Sequence, residues 1–579
     1  MKQMDSWYRR VLILLVTVCW CGGCVWLSED RQKLDLGVDP SFGVLADSAA
    51  FRDTIGAYTY YEGLGPMRVH GYGLVVGLGN NGSRKCPRRV YDRLVQSLYK
   101  QHRFSSKVVG VRGITPEQLI DDIDTAVVIV RGEIPPAGAK GTRFDVAVTA
   151  LPETETKSLR GGRLYTAELQ VYRPVSQGAS ITGQVLARAS GPVFLNPFSE
   201  GGSATRSNPL EGIIIGAGEV VKDRRIRLVL SQASYQRAQQ IHERVNIHFP
   251  GPVKVADAVS PSFIRLQVPP EYHDDTAHFL ALVRALYLSR DPQIEATRAR
   301  KLAEEITHPT APHAQIALAF EGLGRAALPV LDDLYVHPTE YVSFHAAAAG
   351  LRLRDHIACD AMVVHAENAT GEYRFQAIRA LGRAEGMASA AIALRRLIED
   401  EDPRVQIAAY EALVQRGDPT IRSTPIAGDN FILDLVPSQR PNLIYVKRSG
   451  SRRIALFGGN LECTPPVLYR APDGSLTINA NPGDEAMTVL RVVPASGSMS
   501  PMLSAPFELP ALIRLMGSEA AVEFDGEVVG LGLNYDAVVR TLYHLCRDQS
   551  VNASFILEQP NVAELFGPPR PAGRPESEL

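Results

Sequence analysis

The sequence predicts an α+β multidomain protein, in which mixed strand and helix modules are interrupted by an all-α solenoid. Three observations predict it. At 579 residues the chain is about four times the usual length of one domain, which excludes a single compact core. Residues 51–270, and again those beyond 428, alternate apolar and polar side chains with period two between Gly and Pro breaks, the pattern of half-buried strands. Residues 290–425 replace that pattern with Ala-rich helical segments in which one motif recurs.

Composition narrows the function classes. With 45% hydrophobic and 21% charged residues, the chain is neither wholly disordered nor a polytopic membrane protein. Lys and Arg number 61 against 63 Asp and Glu, a net charge of −2, so no global basic field points to nucleic acid.

Taken in order, residues 1–24 read as an export leader: Lys2, Arg9 and Arg10 precede the apolar run VLILLVTVCW, too short to span a bilayer comfortably. The leader ends in Cys21-Gly22-Gly23-Cys24, which resembles the lipobox of bacterial lipoproteins and makes Cys24 the candidate acylated residue, although the usual Leu three positions earlier is missing. Simple cleavage and secretion is the alternative. Residues 25–50 form a linker. Cys86, Cys359, Cys463 and Cys546 lie at wide, unpatterned intervals, and in an oxidising compartment three pairings are open to them.

Residues 51–287 read as an α+β region. Asp124–Arg131 is one strand, and in TRFDVAVTAL the side chains of Phe144, Val146 and Val148 share one face. Ile226, Leu228 and Leu230 mark another strand. Ser234 caps a helix whose apolar positions are Ala238, Ile241, Val245 and Phe249, stopped by Pro250-Gly251, and the strand FIRLQV follows. Across 290–425, FEGLGRAALPVL, AAAGLRLRDHIA, AIRALGRAEGMA and AYEALVQRGDPT align Leu323, Leu351, Leu381 and Leu413 at intervals of 28, 30 and 32 residues. Each interval holds two short helices and two turns, so about four units stack, a spacing that resembles short HEAT-like repeats. Residues 430–558 are β-rich. Within them NLIYVKRSGSRRIALFGG reads as a hairpin, and Val538, Val539, Leu542 and Leu545 lie on one face of a helix. The Pro-rich tail 559–579 is expected to be disordered.

No catalytic, cofactor or metal site is predicted. The glycines of residues 71–84 fit neither GxxxxGK[ST] nor GxGxxG, and no GxSxG occurs. In His242–Asn246 (HERVN), Asn246 stands where HExxH needs its second His, which leaves a solvent-facing helix surface as the expectation. His356 and Cys359 share a helix face but His365 points away. The run Glu399-Asp400-Glu401-Asp402 lacks EF-hand spacing and reads as a cap before Pro403. Lys447, Arg448, Arg452 and Arg453 concentrate charge in one turn, either a contact for an anionic partner or a solvated hairpin tip.

GYGLVVGLGNNGSR opens with Gly71, Tyr72, Gly73, Leu74, Val75, Val76, Gly77, Leu78 and Gly79, and resembles the hallmark of the flagellar basal body P-ring protein family. Further segments similar to the family follow in order: IVRGEIPPAGAKGTRFDVAVTAL with Pro135 and Pro136, then Lys157, Ser158, Leu159, Arg160, Gly161 and Gly162, then GQVLARASGPV. After the helical block, residues 443–478 resemble the family's next hairpin and strands. The resemblance implies a non-enzymatic structural subunit of a periplasmic ring, a bushing around the rotating flagellar rod in motility. Implied partners are copies of itself, rod and outer-membrane ring proteins, and peptidoglycan. The helical block stands outside the resemblance and implies a further, unidentified protein partner. The alternative reading is a lipid-anchored periplasmic binding module that works through those repeats.

Overall fold

The structure, a computed structural model, describes residues 49–558 apart from 63, 65–66, 103–114, 137, 172–183, 196–207, 223, 225, 428–429, 493–498 and 520–529. The leader with Cys24, the linker up to residue 48 and the tail 559–579 lie outside the described residues.

Residues 51–287 form two modules, one threaded through the other. After a short helix α1 (Ile55–Tyr58) and strand β1 (Thr59–Glu62), the chain builds a closed six-stranded barrel. Its strands are β2 (Met67–Val76), β3 (Ala126–Ile134), β4 (Arg143–Ala150), β5 (Arg163–Val171), β6 (Val185–Pro192) and β7 (Glu211–Val220), in the order β2-β3-β4-β7-β6-β5. Val128, Val130, Val146 and Val148 fill the interior by alternation, and a register shift in β5 brings both Leu164 and Leu169 to the same core. Helix α2 (Arg88–His102) and the short α3 (Pro116–Ile120) cover one flank of the barrel through Leu94, Leu98, Ile120 and Val127.

The chain then rejoins the first module. Strands β8 (Ile226–Leu230), β9 (Ala256–Ala258) and β10 (Phe263–Leu266) complete an antiparallel sheet ordered β1-β8-β10-β9. Helices α4 (Tyr235–His248) and α5 (Thr276–Ala285) supply Ile241, Val245, Phe279 and Leu282 to its core. Ser234 caps α4 as expected, its hydroxyl accepting from the Arg237 amide.

The repeats are four helix pairs: α6 (Pro292–Glu305) with α7 (His313–Leu323), α8 (Leu328–Tyr335) with α9 (Glu340–Arg352), α10 (His356–Glu367) with α11 (Arg374–Gly382), and α12 (Ala388–Leu397) with α13 (Pro403–Arg416). The aligned leucines fall at the end of the second helix of every pair, where they are buried. Asp402 caps α13 and Pro403 is its first residue, so the acidic run does end in a cap. The helical block is shorter than the sequence predicts. Gly417 closes it in a left-handed conformation, and Arg422–Ile426 already pairs into the next sheet.

That sheet is β11 (Arg422–Ile426), β12 (Phe431–Val436), β14 (Arg453–Phe457), β13 (Leu443–Val446) and β19 (Ser554–Leu557), in this spatial order. β13 and β14 form the expected hairpin. A second sheet, β15 (Val467–Arg470), β16 (Leu476–Ala480), β17 (Met487–Arg491) and β18 (Leu503–Ala505), shares a core with helices α14 (Leu509–Gly517) and α15 (Tyr535–Arg547). Both modules are α+β, as predicted.

The solenoid is not a loose appendage. A single apolar core runs from Phe51 and Tyr287, through the helix pairs, to Val436, Leu443, Tyr445, Ala455 and Phe457 of the facing sheet. Polar bonds close both ends. Arg244 donates to the carbonyls of Tyr287 (2.7 Å) and Gly322 (3.1 Å), and Asp275 pairs with Arg352 (2.7 Å) and Arg383 (3.3 Å). At the other end Tyr410 donates to Asp434 (2.6 Å) and Tyr445 to Glu411 (2.9 Å).

Candidate functional site: the motif clamp and the barrel joint

The glycine motif occupies β2 and the turn that leaves it. Gly71 and Gly73 lie at the seam where β2 meets β5 and closes the barrel, and there the pairing register shifts between His70 and Val75. A Cβ on Gly71 would sit 2.2 Å from the Glu168 carbonyl oxygen, and one on Gly73 would sit 2.8 Å from Leu164. Only glycine lets the strands approach this closely. Between them Tyr72 points outward beneath the Arg93 guanidinium, 5.9 Å away, while Leu74 and Val75 are buried. Gly77 and Gly79 take φ of +80° and +61°, turning the chain around Val76 and Leu78.

The second motif clamps this turn. The Lys157 amide donates to the Asn81 carbonyl (2.8 Å), and Ser83 Oγ accepts from the amides of Lys85 (3.1 Å) and Glu155 (3.0 Å). Asp124 accepts from the Gly79 amide; its carboxyl is nonetheless pushed above the usual range, because burial outweighs that bond. Leu159 is fully buried, Ser158 Oγ receives the Arg160 amide (3.1 Å), and Gly161 turns with φ +76°. Gly162 fits because a Cβ there would lie 2.4 Å from Val75 and 2.5 Å from Leu78. Segments some 80 residues apart in sequence are thereby one knot. Pro135-Pro136 is not part of it: Met67 pairs with Ile134, which places the prolines at the opposite end of β2, where the Pro135 carbonyl accepts from Gly138 (3.1 Å).

From this knot a joint reaches the C-terminal modules. Phe194 lies between the Tyr535 ring (5.8 Å) and the Arg448 guanidinium (5.7 Å), and the next amide, Leu195, donates to Asp536 (3.1 Å). Asp536 is fully buried, which raises its pKa; Arg540, bonded at 2.9 Å, opposes the shift, and the positive charge of Arg160 acts in the same sense. Asp145 on β4 accepts from Gly216 (2.5 Å) and from Gly450 at the hairpin tip (3.3 Å).

The basic turn is exposed at its tip, Gly450 and Ser451, while its charged side chains are engaged within the chain. Arg448 is 9% exposed and its amide donates to Glu558 (2.7 Å); Lys447 pairs with Glu411 (3.5 Å) and Arg453 with the buried Asp434 (2.8 Å). Arg452 also has an interaction within the chain. Every one of these partners is distant in sequence, so the charge count alone does not show them.

Other features resolve into structure. Asn246 binds the backbone of Val255 and Ala256 (2.8 and 3.1 Å to its Oδ1), so this face of α4 pins β9 instead of facing solvent. Cys359 is buried beside Ser389 (3.2 Å) and His365 bonds Ser343 (3.1 Å), on separate contacts. Among the described residues no three His, Cys, Asp or Glu side chains converge as a metal site. The four cysteines are free thiols. The apolar stretch His313–Tyr335 is long enough to cross a membrane by hydropathy, yet it comprises α7, a 3-10 turn and α8, packed in the solenoid core. Phe194, Asp145 and Asp536 went unnoticed in the sequence, because a lone aromatic or acid there carries no local signal.

Glycines committed to close approach, backbone-to-backbone clamps and a buried ionic joint are the build of a modular scaffold protein. Comparison with known proteins shows what parts of the chain resemble. Residues 55–297 match the flagellar P-ring protein family, and residues 365–424 match HEAT repeats. The flagellar P-ring protein of Bradyrhizobium sp. BTAi1 is 30% identical over 246 residues, 41% of this chain and 59% of that protein. That of Geobacter sulfurreducens is 32% identical over 248 residues (40% and 60%), and that of Caulobacter vibrioides 28% over 260 (43% and 64%). The P-ring resemblance read from the motifs is thus shown for the N-terminal region, and the HEAT character for α11, α12 and α13. The chain spans about three fifths of the length of these curated relatives.

Proposed function

We propose that this chain is a structural subunit of a flagellar P ring, placed in the periplasm at the basal body and assembled from copies of itself around the rod. The observation that carries the reading is the knot of the two motifs. Apart from Pro135-Pro136, the motif residues that resemble the family close the barrel and clamp its turn, so the resemblance falls on the scaffold itself. A ring of identical subunits needs a head-to-tail interface whose rotation closes, and rigid modules with fixed joints favour closure over open filaments. The bushing role, contact with rod and outer-membrane ring proteins, and contact with peptidoglycan belong to this proposal. So does Cys24 as a lipid anchor.

Light scattering and negative-stain microscopy on the purified full chain test it. Closed rings support the reading. A chain that stays monomeric at high concentration while its repeats capture a defined envelope protein would replace it with the anchored binding module.

A further inference from the structure

Charge is unevenly distributed in this chain. Residues 67–220, the barrel with its flanking helix, hold 19 Lys and Arg against 13 Asp and Glu, a net +6, so the remainder carries −8 of the total −2. Residues 290–425 hold 15 against 19, a net −4.

The barrel's excess is focused directly after the glycine knot. Arg84, Lys85, Arg88 and Arg89 are all exposed within six residues, and the last two begin α2, whose first turn has no acid. Glu155 neutralises Lys85 (2.5 Å), while Arg84, Arg88 and Arg89 have no acidic partner among the described residues. Besides Glu155, the nearby acids are Asp92, exposed one turn along α2, and Asp121, beside Cys86 and Tyr91. Further along α2, Tyr99 is half exposed.

The solenoid presents the complement. Helices α8, α10 and α12, the first of their pairs, neighbour one another in a row. Their outward side chains include Val336, Ile357, Val364 and Ile392, between 54% and 82% exposed, and the exposed acids Asp332, Asp333 and Asp360. These three acids have no basic partner among the described residues, and the cations of α12 are engaged with other acids, Arg395 with Asp418 (2.8 Å) and Arg396 with Glu367 (2.6 Å). An apolar row with acids along it suits a basic surface that carries an apolar component of its own.

We propose that the Arg84–Arg89 loop and the start of α2 of one copy dock on the outer row of the solenoid of a second copy, through Asp332, Asp333 and Asp360. The inference rests on the ring reading and specifies one of its contacts. Because the two faces differ, the contact is heterologous and propagates from copy to copy. The HEAT-like block then supplies an assembly surface of its own.

Sedimentation velocity on the full chain tests this with two charge-reversed triples, Arg84→Glu/Arg88→Glu/Arg89→Glu and Asp332→Lys/Asp333→Lys/Asp360→Lys. Circular dichroism confirms that each is folded. Association of the unaltered chain should weaken as salt rises. Each triple alone should associate at least about tenfold more weakly, and mixing the two triples, or joining them in one chain, should restore association. Triples that associate as the unaltered chain does, or a loss that the combination fails to restore, overturn this contact and leave the ring reading standing. An unaltered chain that never self-associates removes both.

Discussion

Substituting Gly71 with alanine places a Cβ 2.2 Å from the Glu168 carbonyl oxygen, where ordinary contact begins at 3.4 Å. The obstacle is backbone, so no rotamer change relieves it and the strands must part by about 1 Å. A ladder bond stretched by that much passes the limit of hydrogen bonding. The seam is short, with Val69 and His70 paired on one side of the register shift and Val75 and Val76 on the other, so both flanks loosen. Overpacking of about 1–3 kcal/mol, plus about 1 kcal/mol for each ladder bond lost, gives a cost of about 3–5 kcal/mol. Gly77 is the control within the same motif. Its φ of +80° strains any alanine, but a Cβ there has open space, so Gly77→Ala should cost only about 1–2 kcal/mol. Hydrogen exchange read by mass spectrometry on peptides covering 67–76 and 163–171 reports the seam directly. Urea midpoints by circular dichroism give the cost. Native-like protection in Gly71→Ala, or an equal cost for the two alanines, would refute the close-approach account of this motif.

Two further outcomes follow from buried charge. Asp536→Ala strands the Leu195 amide and leaves the buried Arg540 with only the longer pairing to Asp473 (3.7 Å), and should destabilise the C-terminal modules by about 3 kcal/mol; adding Arg540→Leu should recover part of it, and a double-mutant cycle without coupling would count against the joint. Asp275 is raised by burial but lowered further by Arg383 and Arg352, leaving it below the usual value. Its contribution is therefore present above the unfolded carboxyl pKa of about 4 and is lost as pH falls through the folded value. The stability gap between the unaltered chain and Asp275→Asn should be constant near neutrality and should close in acid; a gap independent of pH would show that the pairing is not electrostatic.

Elements governed by local pattern were legible in the sequence. The repeats could be read because Leu323, Leu351, Leu381 and Leu413 recur at one structural place, the end of a pair's second helix. The Ser234 cap, the Asp402-Pro403 cap and the 443–457 hairpin announce themselves within a few residues. Barrel closure was not legible, because it depends on β2 meeting β5 across some 90 residues with a register shift that no periodicity encodes. The engagement of the basic turn was not legible for the same kind of reason. Arg448 finds Phe194, and Arg453 finds Asp434, only after the fold has formed. At the candidate site the two motifs are visible in the sequence as segments, while their mutual clamp through Asn81 and Ser83 lies beyond any one-dimensional reading.

The core shared by the solenoid and the facing sheet bears on how this chain can be altered. Val436, Leu443, Tyr445, Ala455 and Phe457 present apolar surface to helices. Excising residues 290–425 would leave that surface bare and the sheet prone to associate through it. The helical block is therefore as necessary to the sheet as the sheet's own strands, and neither can be removed without exposing the other's apolar side.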